Sequence, residues 1–112
     1  MNVSITARHC NISDSIRDRT TERMQKLTRY EPRLSSADVV FTTDGSMKLV
    51  EARVSFAGGP VTVGRGSADT FQMALDRTTD RLGRQLKRRR ERQREHQASK
   101  PAGNDPLEAG DT

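Results

Sequence analysis

The 112-residue sequence contains one cysteine and no tryptophan, and aromatic residues make up only 4% of it. The single cysteine, Cys10, excludes an internal disulfide framework and is typical of a reducing compartment. Hydrophobic residues reach 31%, which is enough for one modest core. No run approaches the roughly 18 apolar residues of a membrane span, and residues 1–12 lack the basic and apolar regions of a signal peptide. We therefore expect a small cytoplasmic protein without a membrane segment.

Groups suited to catalysis or to metal binding are also scarce. His9 and Cys10 are adjacent at the end of a predicted strand, where neighbouring side chains point to opposite faces. With no second cysteine, neither a zinc site nor a Cys–His nucleophile is expected. The segments "GRG" (64–66) and "AGGP" (57–60) lack the pattern of a phosphate-binding loop. The sequence predicts no enzyme, no metal, no cofactor and no small-molecule substrate.

Positive charge is the most prominent feature that is present. The net charge is +5 and the isoelectric point is near 10.1, which favours nucleic acid or an anionic membrane surface as a partner. Residues 84–94 hold seven Arg or Lys and one Glu. Such like-charge repulsion destabilises a helix unless an anion is bound. This segment is therefore the first candidate for contact with a polyanion.

Hydrophobic periodicity gives the order of the elements. A strand alternates over residues 2–9, and a helix follows from the N-cap Ser13 to a point before Pro32. Three strands are then predicted over 37–44, 48–56 and 61–66, as an antiparallel meander, before a second helix from residue 67. The order β-α-β-β-β-α predicts an α+β fold of two layers, a four-stranded sheet with both helices packed on one face. It resembles the double-stranded-RNA-binding domain with an added strand. Residues 1–95 would form this domain and 96–112 a disordered tail.

Basic residues align on one side of each predicted helix. In the second helix, Arg77, Arg81, Arg84 and Arg88 fall within about 60° of one another, about 130° from the apolar stripe. In the first helix, Arg19, Arg23 and Lys26 form a shorter ridge, about 90° from its own stripe. If the helices lie side by side, these ridges border the groove between them or its outer rim, and their guanidinium groups face phosphates.

A plainer interpretation is that these helix surfaces are simply solvated. Asp76 and Asp80 are spaced to pair with Arg77, Arg81 and Arg84 of the same helix. Such pairs would reduce the net positive charge of the N-terminal half of the ridge. The aromatic residues, including Tyr30, occupy positions compatible with the core. We therefore expect contacts to phosphates and to helical shape rather than stacking on bases.

Two separated segments resemble one known family. "NISDSIRDRTTERMQKLTRY" and "SADTFQMALDRTTDRLGRQLKRRRER" are similar to the ribosome hibernation promoting factors, also called ribosome-associated inhibitors or ribosomal subunit interface proteins. The resemblance runs from about residue 2 to residue 94 in the same order of elements. Its most specific parts are "I-R-D" with "K-L-x-R-Y", and "A-D-x-F" with "D-R-L-x-R-Q-L-K-R".

The resemblance implies a non-enzymatic factor that binds the small ribosomal subunit near the decoding centre when growth slows. It would block messenger and transfer RNA and so inhibit translation, binding 16S rRNA in the assembled ribosome and remaining monomeric when free. Carried over by position, the implied rRNA contacts are Arg8, Arg17, Arg23, Lys26, Arg81, Arg84, Lys87, Arg88 and Arg90.

Some positions depart from the family pattern. Arg19 and Thr20 stand where an aromatic and a β-branched apolar residue are common, and Gly83 interrupts the second helix at a cost of about 1 kcal/mol relative to Ala. The chain ends without the C-terminal dimerisation domain of long members, so a short form is expected. Two other functions stay open: a general double-stranded RNA-binding protein, and a protein–protein regulator of transcription.

Overall fold

The computed structural model describes residues 1–99, with side chains up to residue 93. The elements follow the predicted β-α-β-β-β-α order, which is confirmed. They are β1 (Asn2–Ala7), α1 (Asp14–Lys26), a 3-10 turn (Leu27–Arg29), β2 (Leu34–Asp44), β3 (Met47–Phe56), β4 (Val61–Ala68) and α2 (Phe71–Ser99).

The four strands form one sheet in the order β1-β2-β3-β4. The predicted meander is confirmed, because β2, β3 and β4 pair antiparallel in sequence. Strand β1 pairs parallel with β2, with Val3 opposite Ala37. A parallel pair requires a long crossover, and α1 provides it. Strands β1 and β4 are therefore the two edges of the sheet.

One core lies between the sheet and the two helices. Met24 and Leu27 at the end of the first helical segment pack in the same buried cluster as Leu82 and Leu86 of α2. Phe41 of β2 is fully buried at its centre. None of Ser4, Thr6, Glu51, Arg53 and Ser55, the polar alternates of β1 and β3, is buried. The sheet thus has one covered face and one wet face, as predicted.

Two glycines of β4 allow α2 to approach the sheet closely. A Cβ at Gly64 would lie 2.7 Å from Leu82 Cγ, and a Cβ at Gly66 would lie 2.7 Å from the carbonyl oxygen of Ala74. Real Cβ contacts are essentially never so short. From the sequence alone, Gly64 is expected only to weaken the last strand. In the fold, Gly64 is part of the surface against which α2 packs.

The predicted start of the second helix is wrong, whereas the predicted end of the first helix before Pro32 is confirmed. The second helix begins at Phe71 rather than at Ser67, because Ser67 and Ala68 still pair with β3. The Thr70 hydroxyl accepts a hydrogen bond from the amide of Met73 at 3.2 Å and caps the helix there. At its other end α2 runs to Ser99, past the predicted boundary at residue 95. The rest of the predicted tail, 100–112, lies outside the described residues. The first α-helix ends at Lys26, and the chain tightens into the 3-10 turn before Pro32.

Candidate nucleic-acid interface

The space between α1 and α2 is an open groove of about 380 Å³. Its basic side chains come from both helices: Arg23 and Lys26 from the predicted ridge of α1, and Arg84 and Lys87 from α2. The lining residues are Arg23, Lys26, Leu27, Tyr30, Thr79, Asp80, Gly83, Arg84 and Lys87. Four of these are basic and one is acidic, so the groove carries an excess of positive charge and is suited to phosphate groups.

An ion-pair cluster joins the two helices at one end of the groove. Asp76 of α2 accepts hydrogen bonds from Arg19 Nε at 3.3 Å and Nη2 at 3.2 Å. Arg23 Nη2 lies 3.1 Å from the same carboxylate. The prediction that Asp76 pairs with Arg77 or Arg81 in its own helix is wrong, because the carboxylate turns across to α1. Arg19, which departs from the family pattern, has a structural partner here.

A second cluster anchors the far end of α2 to the loop that precedes β2. The carboxylate of Glu31, only 3% exposed, accepts hydrogen bonds from Arg33 Nε at 2.9 Å and Nη2 at 3.2 Å. The Arg33 side-chain hydrogen bond lowers the pKa of Glu31 below its ordinary value, against the opposing effect of burial. The positive charge of Arg90 acts in the same direction. Glu31 is thus held as a buried anion.

The same loop is contacted by the most basic part of α2. Arg90 Nη1 donates to the carbonyl oxygen of Tyr30 at 3.0 Å. Arg89 lies over the Phe56 ring, with its guanidinium carbon 5.0 Å from the ring centroid, and Arg33 lies over the same ring at 5.5 Å. Such cation–π contacts stabilise by about 0.5–2 kcal/mol. The start of the "RRRERQ" run is therefore tethered to the domain, although sequence reasoning left it open whether the run frays.

Four of the nine sequence-predicted contact residues line the groove: Arg23, Lys26, Arg84 and Lys87. Arg90 lies beyond one end of it, bound to the loop that carries Tyr30. Arg17 and Arg88 are exposed on the helices outside the groove lining.

The remaining two, Arg8 and Arg81, are not brought to the groove. Both line a second open depression, of about 390 Å³, on the wet face of the sheet, together with Leu49 and Arg65. Arg81 Nη1 donates to the carbonyl oxygen of Arg65 at 2.6 Å, and its neighbour Arg77 donates to that of Ser67 at 2.6 Å. The two arginines thus cover the edge of β4. The predicted ridge on α2 is divided between this edge and the groove.

Sequence reasoning missed Tyr30 as a groove residue. Tyr30 was placed near the apolar face, yet it is 45% exposed and lines the groove. The 3-10 turn after Lys26 changes the rotation per residue, so the α-helical spacing no longer predicts which way Tyr30 points. Pro32, two residues on, was the available signal that the helix would tighten or end early.

Within residues 1–93, no group of three or more His, Cys, Asp or Glu side chains is arranged to hold a metal ion. Among the helices described, none is long and apolar enough to cross a membrane. Cys10 is a free, half-buried thiol whose Sγ lies 3.4 Å from the carbonyl oxygen of Phe41.

The fold and the site define a small α+β protein with a basic groove between its two helices. Residues 3–94 match the family described as Sigma 54 modulation protein / S30EA ribosomal protein. The chain belongs to this family, whose hibernation promoting factors are non-enzymatic ribosome-binding proteins. The resemblance found in the sequence and the prediction that the protein is not an enzyme are both confirmed.

Named relatives agree with this assignment. The chain is 28% identical over 85 residues to a ribosome hibernation promoting factor of Azotobacter vinelandii, covering 76% of this chain and 78% of the relative. It is 27% identical over 85 residues to the factor of the same name from Pseudomonas putida, covering 76% and 82%.

Solved structures share the fold. The N-terminal domain of Thermus thermophilus Protein Y superposes with a TM-score of 0.70 at 31% identity, covering 79% of this chain and 98% of that one. A ribosomal subunit interface protein from Coxiella burnetii gives 0.75 at 20% identity, covering 81% and 99%. At 20% identity, the likeness to the Coxiella burnetii protein shows a shared fold alone. The predicted two-layer α+β fold is thus confirmed.

Proposed function

We propose that this protein is a hibernation factor of the small ribosomal subunit. It binds 16S rRNA near the decoding centre as a monomer in the cytoplasm, prevents messenger and transfer RNA from binding, and inhibits translation in slow growth or stress. Family membership supports action on the ribosome. The proposed binding site on the small subunit, near the decoding centre, is inferred from the resemblance of the two helical motifs to the family.

The observation that carries the proposal is the groove between α1 and α2. Lys26 of α1 and Arg84 and Lys87 of α2 line one groove. Lys26 pairs with Glu22 of its own helix at 4.0 Å, and among the described side chains no salt bridge involves Arg84 or Lys87. The Asp76 cluster joins the two helices at one end of the groove. Basic groups of both helices are therefore presented to one polyanion, and phosphates that bind them release their counterions.

The proposed contact set is centred on the groove. Arg23, Lys26, Arg84 and Lys87 are its primary members, and the exposed Arg17 and Arg88 extend it along the outer helix surfaces. Arg90 supports the loop at the end of the groove. Arg8 and Arg81 would reach rRNA only if it wraps around the edge of β4.

The test compares two neutralised arginines that are both exposed. Arg84→Gln removes a charge from the groove, and Arg53→Gln removes one from the wet face of the sheet. Binding to purified small subunits is measured over a range of salt concentrations. We expect Arg84→Gln to weaken binding several-fold and to reduce the slope of log affinity against log salt by about one. Arg53→Gln should stay within about twofold of the wild type.

A stronger variant completes the test. Arg84→Glu/Lys87→Glu should abolish co-sedimentation with ribosomes and inhibition of translation in a cell-free system, with an unchanged circular dichroism spectrum. Normal inhibition by this variant would reject the groove as the binding site. Equal affinity of the wild type for generic duplex RNA and for the small subunit would instead favour a general double-stranded RNA-binding protein. Absence of the native protein from every ribosomal fraction of a stationary-phase lysate would reject the proposal altogether.

A further inference from the structure

An aromatic ring is exposed in the lining of the basic groove. Tyr30 is 45% exposed, while the other aromatic side chains, Phe41, Phe56 and Phe71, are buried or half-buried. Its neighbours along the groove are cations of both helices, among them Lys26 and Arg84. An exposed aromatic ring among cations provides both groups that hold a single-stranded nucleotide, a stacking surface and phosphate ligands.

Gly83 keeps the space beside this ring open. A Cβ at Gly83 would lie 3.7 Å from Tyr30 Cε2, an ordinary van der Waals distance, so the ring borders α2 at the one groove-lining position of that helix without a side chain. Any longer side chain would extend into the groove. Glycine within a helix costs about 1 kcal/mol relative to alanine, and here it leaves room in a groove of about 380 Å³.

The backbone that carries the ring is also fixed in position before any ligand arrives. The Tyr30 amide donates to the carbonyl oxygen of Leu27 at 3.0 Å, and its own carbonyl oxygen accepts from Arg90 Nη1 at 3.0 Å. The backbone of Tyr30 is thus held from α2 as well as from its own turn. A preordered stacking surface loses little entropy on binding.

Resting on the proposed function, we infer that the groove takes up an unpaired nucleotide of rRNA whose base stacks on Tyr30. The flanking phosphates contact Lys26, Arg84 and Lys87. The nucleotide is single-stranded, because a base inside a duplex does not expose its face to a protein ring. This inference replaces the expectation that contacts are to phosphates and helical shape alone.

The chain offers a direct reporter of this contact. It contains one tyrosine and no tryptophan, so its intrinsic fluorescence arises from Tyr30 alone. We expect a single-stranded RNA of about eight nucleotides to quench this fluorescence, because stacking brings the base against the ring. A duplex of the same length and salt concentration should quench it far less. Equal quenching by both would show that an unpaired base is not what the groove selects.

Two matched pairs of variants test the contact on the small subunit. Tyr30→Phe keeps the ring and should bind within about twofold of the wild type, whereas Tyr30→Leu should bind about tenfold more weakly. The control for Gly83 is Gln85→Leu, at an exposed position of α2 outside the groove lining, which should leave affinity unchanged. Gly83→Leu fills the space beside the ring and should also weaken binding about tenfold. Circular dichroism and thermal melting verify that each variant is folded.

The results separate this inference from the proposed function. If Tyr30→Leu and Gly83→Leu bind like the wild type while Arg84→Glu/Lys87→Glu does not, stacking is wrong and the groove remains the binding site. If the charge-reversal variant itself binds normally, the proposed function is what fails. If Tyr30→Leu and Gly83→Leu lose affinity and the controls Tyr30→Phe and Gln85→Leu do not, the nucleotide site is established.

Discussion

Arg19 of α1 and Asp76 of α2 form a forked ion pair across the groove, with Arg19 Nη2 3.2 Å from each carboxylate oxygen. Both side chains are about one-third exposed, at 32% and 34%. Arg23 adds a second cation to the same carboxylate. A single acidic residue of α2 therefore bridges to two arginines of α1, beside the apolar packing of Met24 and Leu27 with Leu82 and Leu86.

Replacing Asp76 should loosen the groove while raising its charge. We expect Asp76→Asn to lower the free energy of unfolding by about 1 kcal/mol, since the partly exposed cluster is screened by solvent. The melting temperature of a domain of this size would fall by about 4–8 °C. Asp80→Asn is the matched control: Asp80 lies one turn further along α2, is exposed and lines the groove. It should melt like the wild type, and an equal loss of stability in both variants would contradict a specific role for Asp76.

The close approach of α2 to β4 gives a second prediction. In Gly66→Ala the new Cβ would meet Thr78 Oγ1 at 2.6 Å as well as the backbone of Ala74. Because backbone atoms cannot turn away, we expect a loss of about 1–3 kcal/mol in the free energy of unfolding, measured with urea. Gly83→Ala, on the open side of the same helix, should instead stabilise by up to about 1 kcal/mol. Wild-type stability of Gly66→Ala would show that β4 and α2 can separate enough to accommodate the added Cβ, and would contradict the close approach as a constraint.

Sequence patterns predicted the layers because periodicity directly reports which face of an element is buried. The period of two in β1 and β3 and the stripe from Phe71 to Leu86 needed no tertiary information. The same spacing located Arg23, Lys26 and Arg84 well enough to place them in one groove, whereas Lys87 was named only through the family resemblance.

Other features depended on neighbours that are distant in sequence. Asp76 has potential ion-pair partners in its own helix. Only the packing of α1 against α2 brings Arg19 close enough to become its partner. Arg81 lies within the basic ridge, yet the unpaired carbonyl of Arg65 draws its side chain to the sheet edge. Tyr30 became a groove residue through a 3-10 turn that shifts the phase of the helix by a fraction of a turn.

The buried carboxylate of Glu31 makes stability depend on pH. Its pKa is lowered in the folded state, chiefly by the hydrogen bond from Arg33. The carboxylate therefore stabilises the fold above the unfolded pKa of about 4.5, and this contribution is lost as the pH falls through the lower folded value.

The measurement compares the wild type with Glu31→Gln, whose side chain does not titrate. The free energy of unfolding is determined from about pH 6 down to about pH 3. We expect the wild type to be more stable by about 1–3 kcal/mol at the upper end, because a hydrogen bond to a charged group is lost in the variant. The difference should shrink on acidification, and a difference independent of pH would exclude ionised Glu31 as its source.

Side chains of α2 cover the exposed edge of strand β4. Arg77 and Arg81 donate to carbonyl oxygens of β4, those of Ser67 and Arg65, at 2.6 Å each. Unpaired edge carbonyls are a template for pairing with a second chain. We therefore expect Arg77→Ala/Arg81→Ala to keep the fold but to self-associate with rising concentration, as measured by sedimentation velocity. Arg84→Ala/Arg88→Ala removes the same charge from the same helix and should sediment like the wild type. If both double variants associate equally, reduced net charge and not an uncovered edge is the cause.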